Sequence, residues 1–283
     1  MIRFARAGDL PALSTLWQEA FEAEAGEAAY YFKHRHHNSN MLVATADDEV
    51  AGMLTMLPLD LITQSQVIKA RYVFAVATFQ KHRGQGISTR LLDAAHQHML
   101  SQGVAASVLV PASPSLFDFY QRRGYEARFY LDSLKLLPRN INSAADAALT
   151  PLSAPDYLRL RGAAFSGSGL FARWDMEALA FMIASTREDG GGALHIRTAR
   201  GEGCCLYERL DGGVRITELA LVGLPWQDAV SILHQHLNAP VYTLRMPQGT
   251  LPDADVLPFG MIHWFIDSPA LQGEAPYLSL AKD

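Results

Sequence analysis

The hydrophobic pattern of the chain is clearest over residues 71–103, where a strand, a polar turn and a helix follow one another. Residues 72–79 form a continuous apolar and β-branched run, which predicts a buried strand. Apolar residues then recur at intervals of four and predict one buried face of a helix: Ile87, Leu91, Ala95 and Met99. Gly103 stands where the C′ residue of that helix is expected.

The turn between strand and helix, residues 80–88, is basic and contains Gly84 and Gly86. Glycine allows a sharp backbone turn and lets an anion approach without a Cβ in the way. The N–H groups and the dipole at the start of the helix also attract an anion. The turn has neither the Gly-Lys-Ser/Thr end of a P-loop nor the Gly-x-Gly-x-x-Gly of a dinucleotide site. We therefore expect it to bind a phosphate-sized anion, with an ordinary strand-to-helix connection as the alternative.

Strands and helices alternate around this segment, which predicts an α/β layer around a mixed sheet. Before it we expect a strand at 2–6, helices at 10–22 and 27–36, a hairpin of strands 41–46 and 50–57, and a strand at 66–78. After it we expect a strand at 106–110, a helix at 114–123 and one or two strands over 125–136. Asp9 is expected to cap or to charge the first turn of the helix that follows it, and Ser113 is the expected N-cap of the helix at 114–123.

The second half of the chain repeats this plan faintly. Residues 138–148 are small and polar, which is typical of a linker. Beyond them we expect strands at 194–198, 204–209 and 214–221, a helix at 226–237, and strands at 241–246 and 259–265. The corresponding turn, residues 222–226, contains Pro225 and no basic residue, so we do not expect it to bind an anion. These patterns predict one anion site per chain.

The glycine turn resembles motif A of the GNAT acetyltransferase superfamily, Gln/Arg-x-x-Gly-x-Gly/Ala, here Arg83-x-x-Gly86-x-Ser88. Ser88 departs from the last Gly/Ala, although it is small and keeps its N–H. The resemblance implies a GNAT fold, a mixed central sheet flanked by helices, over residues 1–137. After the linker at 138–148, residues 149–283 resemble a second, degenerate GNAT-like domain. The tandem arrangement is similar to that of acetyltransferases of the enhanced-intracellular-survival type, without their sterol-carrier-like domain.

The resemblance implies acetyl-CoA as co-substrate and assigns roles to individual residues. The turn would hold the pyrophosphate through Arg83, Gly84, Gln85, Gly86, Ile87 and Ser88. A backbone N–H of the preceding strand, at Phe74, Ala75 or Val76, would polarise the acetyl carbonyl. Ser113 and Ser115 would contact the cofactor, with capping as the alternative. Tyr120, in a segment that resembles the family's Tyr-x-x-x-Gly-Phe/Tyr, would be the general acid, with a core tyrosine as the alternative.

The general base stays open among acidic and histidine residues of the first two helices and the segment after them: Glu19, Glu22, Glu24, Glu27, His34, His36 and His37. These histidines are not at a metal-ligand spacing with a carboxylate, so we expect no metal. Tyr30, Tyr31 and Phe32 would build an acceptor pocket or cover the sheet edge.

The composition argues against a protein that binds nucleic acid or spans a membrane. The chain has 283 residues, of which 49% are hydrophobic and 19% charged, with a net charge of −5 and no basic block that indicates nucleic acid. The two cysteines, Cys204 and Cys205, are adjacent and unsuited to a mutual disulfide. No window is apolar enough to span a membrane, so we expect a cytoplasmic protein that does not bind membranes. The sequence leaves open whether the protein forms a homo-oligomer.

The expected function is transfer of an acetyl group from acetyl-CoA to a primary amine, by direct attack in a ternary complex. Two alternatives remain at this point: a non-catalytic protein that binds or senses acyl-CoA, and an acyltransferase that uses a longer acyl-CoA.

Overall fold

The computed structural model describes residues 1–23, 25–141, 146–271, 273 and 275–280. Glu24, one of the candidate bases, and residues 142–145 of the predicted linker lie outside the described residues. None of the helices in the described ranges has the length and hydrophobicity that a membrane span requires.

The described residues form seven α-helices and thirteen strands. The helices are α1 Leu10–Phe21, α2 Ala25–His34, α3 Ile87–Ser101, α4 Pro114–Gln121, α5 Ala154–Ala164, α6 Met176–Glu188 and α7 Trp226–Leu237. The strands are β1 Ile2–Phe4, β2 Met41–Ala46, β3 Glu49–Ile62, β4 Val67–Thr78, β5 Ala106–Leu109, β6 Glu126–Leu136, β7 Ala148–Pro151, β8 Phe171–Arg173, β9 Gly192–Arg197, β10 Glu202–Leu210, β11 Gly213–Val222, β12 Tyr242–Pro247 and β13 Asp255–Trp264.

The chain divides into two compact units. Unit 1 consists of Met1–Asp60, Ile68–Val110 and Ile262–Ser268. Unit 2 consists of Leu61–Val67, Pro111–Met261 and Pro269–Asp283. The domain boundaries predicted at residues 137 and 149 remain a prediction.

In unit 1 the strands follow the order β1-β2-β3-β4-β5. The pairs β1–β2 and β2–β3 are antiparallel, whereas β4 and β5 run parallel, in register at Ala70 and Ala106. The parallel pair requires a crossover connection, and α3 supplies it. The predicted mixed sheet with flanking helices is confirmed.

Helix α3 packs closely on this sheet through its predicted apolar face. All four residues of that face are buried, with relative exposures of 4% or less. The helix meets β3 at Gly52, where an added Cβ would lie 2.8 Å from Ile87 Cγ2 and 2.9 Å from the Ala77 carbonyl oxygen. A larger residue would push the start of α3 away from the sheet, so this contact positions the turn that precedes the helix.

In unit 2 the strands follow the order β6-β12-β11-β10-β9-β7. The pairing resembles that of unit 1: β7 and β9 are antiparallel as β1 and β2 are, and β11 and β12 are parallel as β4 and β5 are. Helix α7 connects the parallel pair and buries Val230, Leu233 and Leu237 in the core of the unit. The strands and the helix predicted in this half are confirmed to within a few residues, and the degenerate character of the second domain remains a prediction.

Helices α5 and α6 had no counterpart in the sequence analysis, although both begin at an N-cap signal. Ser153 Oγ accepts a hydrogen bond from the Asp156 N–H at 3.2 Å and donates one to Asp156 Oδ2 at 2.7 Å. Asp175 Oδ1 accepts from the Ala178 N–H at 2.7 Å. These caps satisfy N–H groups that otherwise lack a partner in the first turn.

The two predicted N-caps lack a capping hydrogen bond, and the single-strand alternative predicted over 125–136 is confirmed. Asp9 and Ser113 stand at the N-cap positions of α1 and α4, but neither side chain makes a capping hydrogen bond. Asp9 instead accepts from both terminal nitrogens of Arg3 and from the Arg6 N–H at 2.7 Å, because an ion pair with the neighbouring strand is a stronger partner than a neutral amide alone. Residues 126–136 form a single strand.

A buried charge pair lies in the core of unit 2. Arg161 Nε donates to both carboxylate oxygens of Glu218, at 2.9 and 3.0 Å, and Tyr157 Oη donates to the same carboxylate at 2.6 Å. The remaining guanidinium nitrogens donate to the carbonyls of Ala172 and Leu278. Because every group is paired, the desolvation of the two charges is offset, and removal of either partner would leave an uncompensated buried charge. Cys204 and Cys205 are buried free thiols.

Candidate active site

The basic turn of unit 1 has a backbone that glycine makes accessible. Strand β4 ends at Thr78, a short 3-10 helix covers Gln80–His82, and α3 begins at Ile87. Gly84 and Gly86 adopt φ values of +77° and +72°. An added Cβ would meet nothing within 4 Å at Gly84, and only Arg90 Nη1, at 3.7 Å, on Gly86. These glycines are therefore needed for the left-handed backbone and for an open surface, and not for packing.

Ser88, which departs from the motif, directs its hydroxyl inward. Its Oγ lies 3.0 Å from Thr78 Oγ1, so the last residue of β4 and the first turn of α3 are joined by a hydrogen bond. The Ser88 hydroxyl therefore has its hydrogen-bond partner, Thr78, within unit 1. The N–H of Ser88 belongs to the first turn of α3, where backbone donors have no carbonyl within the helix to bind.

Three side chains bind backbone groups of the turn and restrain its shape. Glu19 Oε1, on α1, accepts the Gln80 N–H at 2.5 Å. Arg83 Nε donates to the Thr78 carbonyl at 3.3 Å, and Arg90 Nη1 donates to the Gln85 carbonyl at 2.8 Å. These three hydrogen bonds hold the turn from both sides.

The charge around the turn favours an anion. The first turn of α3 contains no acidic residue, so the positive end of the helix dipole is not neutralised from within. The first turn of α7 differs, because it contains Asp228, and Arg200 Nη1 lies 3.4 Å from Asp228 Oδ2. The N-cap of α7 is Pro225, which has no N–H. These differences favour an anion at the turn before α3 over the turn before α7, and anion binding itself remains a prediction.

Strand β4 has an irregular backbone at Ala75, which has a φ of +51° and is buried. An alanine in the left-handed region costs about 1–2 kcal/mol, and such strain clusters at functional sites. Phe74 and Val76 on either side are half-buried. The three residues predicted to present an N–H to the acyl carbonyl therefore surround a kink in the strand. No glycine or asparagine marks this kink, and the sequence offers no local signal for it.

An aromatic cluster adjoins Phe74. Its ring lies 5.7 Å from Trp17, 5.6 Å from Tyr31 and 6.0 Å from Tyr72. Tyr31 also stacks on Trp17 at 4.4 Å, and burial raises the pKa of Tyr31 to about 12. Trp17 Nε1 is buried and has no hydrogen-bond partner among the described residues. Of the three predicted pocket aromatics, Tyr31 and Phe32 pack on Trp17, whereas Tyr30 contacts His34.

Tyr120, the predicted general acid, lies in unit 2 with Ser113 and Ser115. Its side chain is buried between edge-on contacts with Phe119, at 5.1 Å, and Tyr125, at 5.7 Å. Burial raises the pKa of Tyr120 to about 12, and the nearby charge of Arg123 offsets part of that rise. The phenol is therefore protonated at neutral pH.

The two serines at the start of α4 lie 3.0 Å apart between their hydroxyl oxygens. Because Tyr120 and these serines belong to unit 2 and the turn to unit 1, their joint action remains a prediction.

Among the residues that the structure describes, the candidate bases are not brought into one cluster. The Glu19 carboxylate accepts a hydrogen bond from the Gln80 N–H of the turn. His36 lies 2.9 Å from Asn38 through its Nε2, and burial lowers its pKa. The exposed candidates are Glu19, Glu22, Glu27, His34 and His37. A dedicated base is not distinguished among these residues.

Residues 1–128 match the family model for an acetyltransferase (GNAT) domain. No curated protein matches the sequence.

Solved structures of several bacterial proteins share the fold. A protein from Enterococcus faecalis described as a "Probable N-Acyltransferase" has 14% identity and a TM-score of 0.75, over 93% of this chain and 72% of that chain. A GCN5-related N-acetyltransferase from Anabaena variabilis has 18% identity and a TM-score of 0.76, over the same shares. Eis1 from Mycobacterium abscessus has 13% identity and a TM-score of 0.69, over 93% of this chain and 73% of that chain.

Enzymes of this family take the acyl group from an acyl-CoA and pass it to an acceptor, and the turn before α3 suits the phosphates of such a donor. Residues 1–128 are therefore a GNAT acetyltransferase domain, and this domain makes the protein an acyltransferase.

Proposed function

We propose that the protein is an N-acetyltransferase that moves an acetyl group from acetyl-CoA to a primary amine by direct attack. The observation that carries this proposal is the pair of left-handed glycines, Gly84 and Gly86, before a helix whose first turn contains no acid. The position of this turn directly after the kinked strand β4 supports the same reading.

The residues of the turn fit the diphosphate of a CoA donor. N–H groups of the first turn of α3 donate to phosphate oxygens, and Gly86 has no Cβ that would cover them. Ser88 contributes its amide, because its hydroxyl is already bound to Thr78. The motif therefore functions with serine in place of the usual glycine or alanine.

The strand and Tyr120 serve the chemical step. A backbone N–H within residues 74–76 polarises the acetyl carbonyl, while the amine nitrogen forms the new C–N bond and the C–S bond breaks. The amine proton leaves through water or one of the exposed acids. Tyr120 supplies the proton that the departing thiolate takes up, as its motif predicts.

This proton transfer runs uphill, because the pKa of Tyr120 is about 12 and that of a free thiol is about 8.5. Tyr120 therefore acts mainly by donating a hydrogen bond to the negative charge that develops on the departing sulfur.

We further propose that residues 149–283 are a degenerate GNAT-like domain without a donor site. Their turn before α7 has a proline at the N-cap and an acid in the first turn. The chain would then bind one acetyl-CoA. Titration of the purified protein with acetyl-CoA tests this, because a stoichiometry of two would contradict it.

The deciding experiment measures release of free CoA from acetyl-CoA in the presence of a panel of polyamines, aminoglycosides and amino acids. Amine-dependent release by the wild type, abolished in Gly86→Glu, supports the proposal, because the new carboxylate repels phosphate. Binding of acetyl-CoA without release for any amine would favour a non-catalytic acyl-CoA-binding protein. Faster release from a longer acyl-CoA would favour the other alternative.

A further inference from the structure

The turn that follows β4 begins at a residue that cannot cap it. The short 3-10 helix of the turn, Gln80–His82, starts after Phe79, whose side chain makes no capping hydrogen bond. The N–H of Gln80 belongs to the first residue of this helix, where a backbone donor has no acceptor within the helix. The acceptor for this N–H must therefore come from water or from another part of the chain.

Glu19, on α1, supplies the acceptor from 61 positions earlier in the chain. Its Oε1 lies 2.5 Å from the Gln80 nitrogen, a short distance that is typical of a hydrogen bond to a charged acceptor. The helix that presents this carboxylate is itself anchored, because it buries Leu13, Leu16 and Trp17 in unit 1. The start of the turn is therefore bound to a fixed helix rather than to a loop.

The same helix contacts the strand that leads into the turn. Trp17 lies two residues before Glu19, and its ring is 5.7 Å from that of Phe74 on β4. Phe74 directly precedes the kink at Ala75. Because a helix is rigid over two residues, α1 fixes the turn relative to the kink beside which we expect the acyl group to lie.

This hydrogen bond bears on the search for the general base, in which Glu19 was a candidate. A base has to take a proton from the amine, and a neutral carboxyl group is a weaker hydrogen-bond acceptor than a carboxylate. If Glu19 took that proton, its bond to Gln80 would weaken during the transfer itself. The two roles therefore conflict, and the geometry favours the one that the bond shows.

We propose that Glu19 is a positioning residue for acyl transfer, which holds the turn before α3 in place from α1, and that it is not the general base. This inference rests on the proposed function, since it takes the turn as the donor site. The role requires a side-chain oxygen that accepts a hydrogen bond, so glutamine should replace glutamate and alanine should not.

The first measurement needs no ligand and follows the hydrogen bond directly. Amide hydrogen exchange at Gln80, resolved by NMR, is compared in wild type, Glu19→Ala and Glu19→Gln. Loss of the acceptor in Glu19→Ala should raise the exchange rate about tenfold or more. Glu19→Gln keeps an acceptor oxygen and should remain within threefold of wild type.

The second measurement is the calorimetric affinity of the same proteins for acetyl-CoA. A turn that has to be ordered during binding should weaken the affinity of Glu19→Ala about tenfold, with Glu19→Gln within threefold of wild type. A general base would leave both affinities unchanged, because it acts only after the donor has bound. Thr15→Ala is the control, since Thr15 is exposed one helical turn earlier on the same face of α1 and should change neither measurement by more than twofold.

Three results would overturn the assignment: Gln80 exchange in Glu19→Ala within twofold of wild type, acetyl-CoA affinity of that variant within twofold of wild type, or equal losses in Glu19→Gln and Glu19→Ala. The last result would mean that the charge of Glu19 matters and its hydrogen bond does not. A wild type that fails to bind acetyl-CoA would instead refute the proposed function. The exchange rates would then still show whether Glu19 holds the turn, so the two failures are distinguishable.

Discussion

The two glycines at opposite ends of α3 allow backbone strain to be separated from ligand contact. Gly86 precedes the helix and Gly103 follows it, with φ values of +72° and +65°. A Cβ would meet nothing within 4 Å at Gly103, and at Gly86 only Arg90 Nη1, at an ordinary contact distance of 3.7 Å. Substitution by alanine therefore creates the same backbone strain at both positions and a clash at neither.

The expected stability change is the same for Gly86→Ala and Gly103→Ala. A left-handed alanine costs about 1–2 kcal/mol, of which the lower entropy of the unfolded chain returns about 0.4–1 kcal/mol. The net loss of about 1 kcal/mol should lower the melting temperature of each variant by roughly 2–4 °C. Differential scanning calorimetry measures this shift.

The expected change in affinity differs, because only Gly86 faces the proposed phosphate site. A methyl group there should displace one charged hydrogen bond between phosphate and backbone, a loss of roughly 10- to 100-fold in acetyl-CoA affinity. Gly103→Ala should bind within twofold of wild type, and isothermal calorimetry gives both values. If Gly86→Ala also binds within twofold, or if Gly103→Ala loses as much affinity, the turn before α3 is not the donor site.

Three further predictions concern Tyr120, the buried tyrosines and the kink in β4. Tyr120→Phe should lower kcat about 100-fold while acetyl-CoA affinity stays unchanged; if more than half of kcat remains when chemistry limits turnover, the tyrosine is a packing residue. The pKa values of Tyr31 and Tyr120, about 12, exceed the unfolded value of about 10, so the unfolded chain releases these protons first. Stability should then fall as pH rises from 10 to 12, and urea unfolding midpoints that stay constant over this range would contradict the assignment. Ala75→Val should lower the melting temperature by several degrees, because a β-branched residue tolerates a φ of +51° poorly. Ala75→Gly should be tolerated. Equal melting temperatures for the two variants would show that the kink carries no strain.

Elements with a regular local pattern could be predicted from the sequence alone. The spacing of Ile87, Leu91, Ala95 and Met99 predicted α3, and Trp226–Leu237 was predicted with the bounds that the structure has for α7. The glycine turn was also predictable, since its backbone conformation depends on which residues tolerate a positive φ, and that is a property of each residue. Helices α5 and α6 carried cap signals of the same local kind in Ser153 and Asp175, and these were overlooked.

The tertiary structure decided which partner a side chain binds when it could bind more than one. Asp9 stands at a helix start, yet it pairs with Arg3, which the packing of the strand brings to it. Ser88 and Thr78 are bound to each other only because the turn brings the end of β4 to the start of α3. Ala75 adopts a left-handed φ that no property of alanine favours, so the surrounding sheet must impose it.

The same distinction applies to the candidate site. The sequence by itself determined the motif, because its glycines and the helix that follows act through their own backbone. Only the fold decided that Asp228, in the first turn of α7, pairs with Arg200. These two residues lie 28 positions apart in the chain, so no short window of sequence contains their contact.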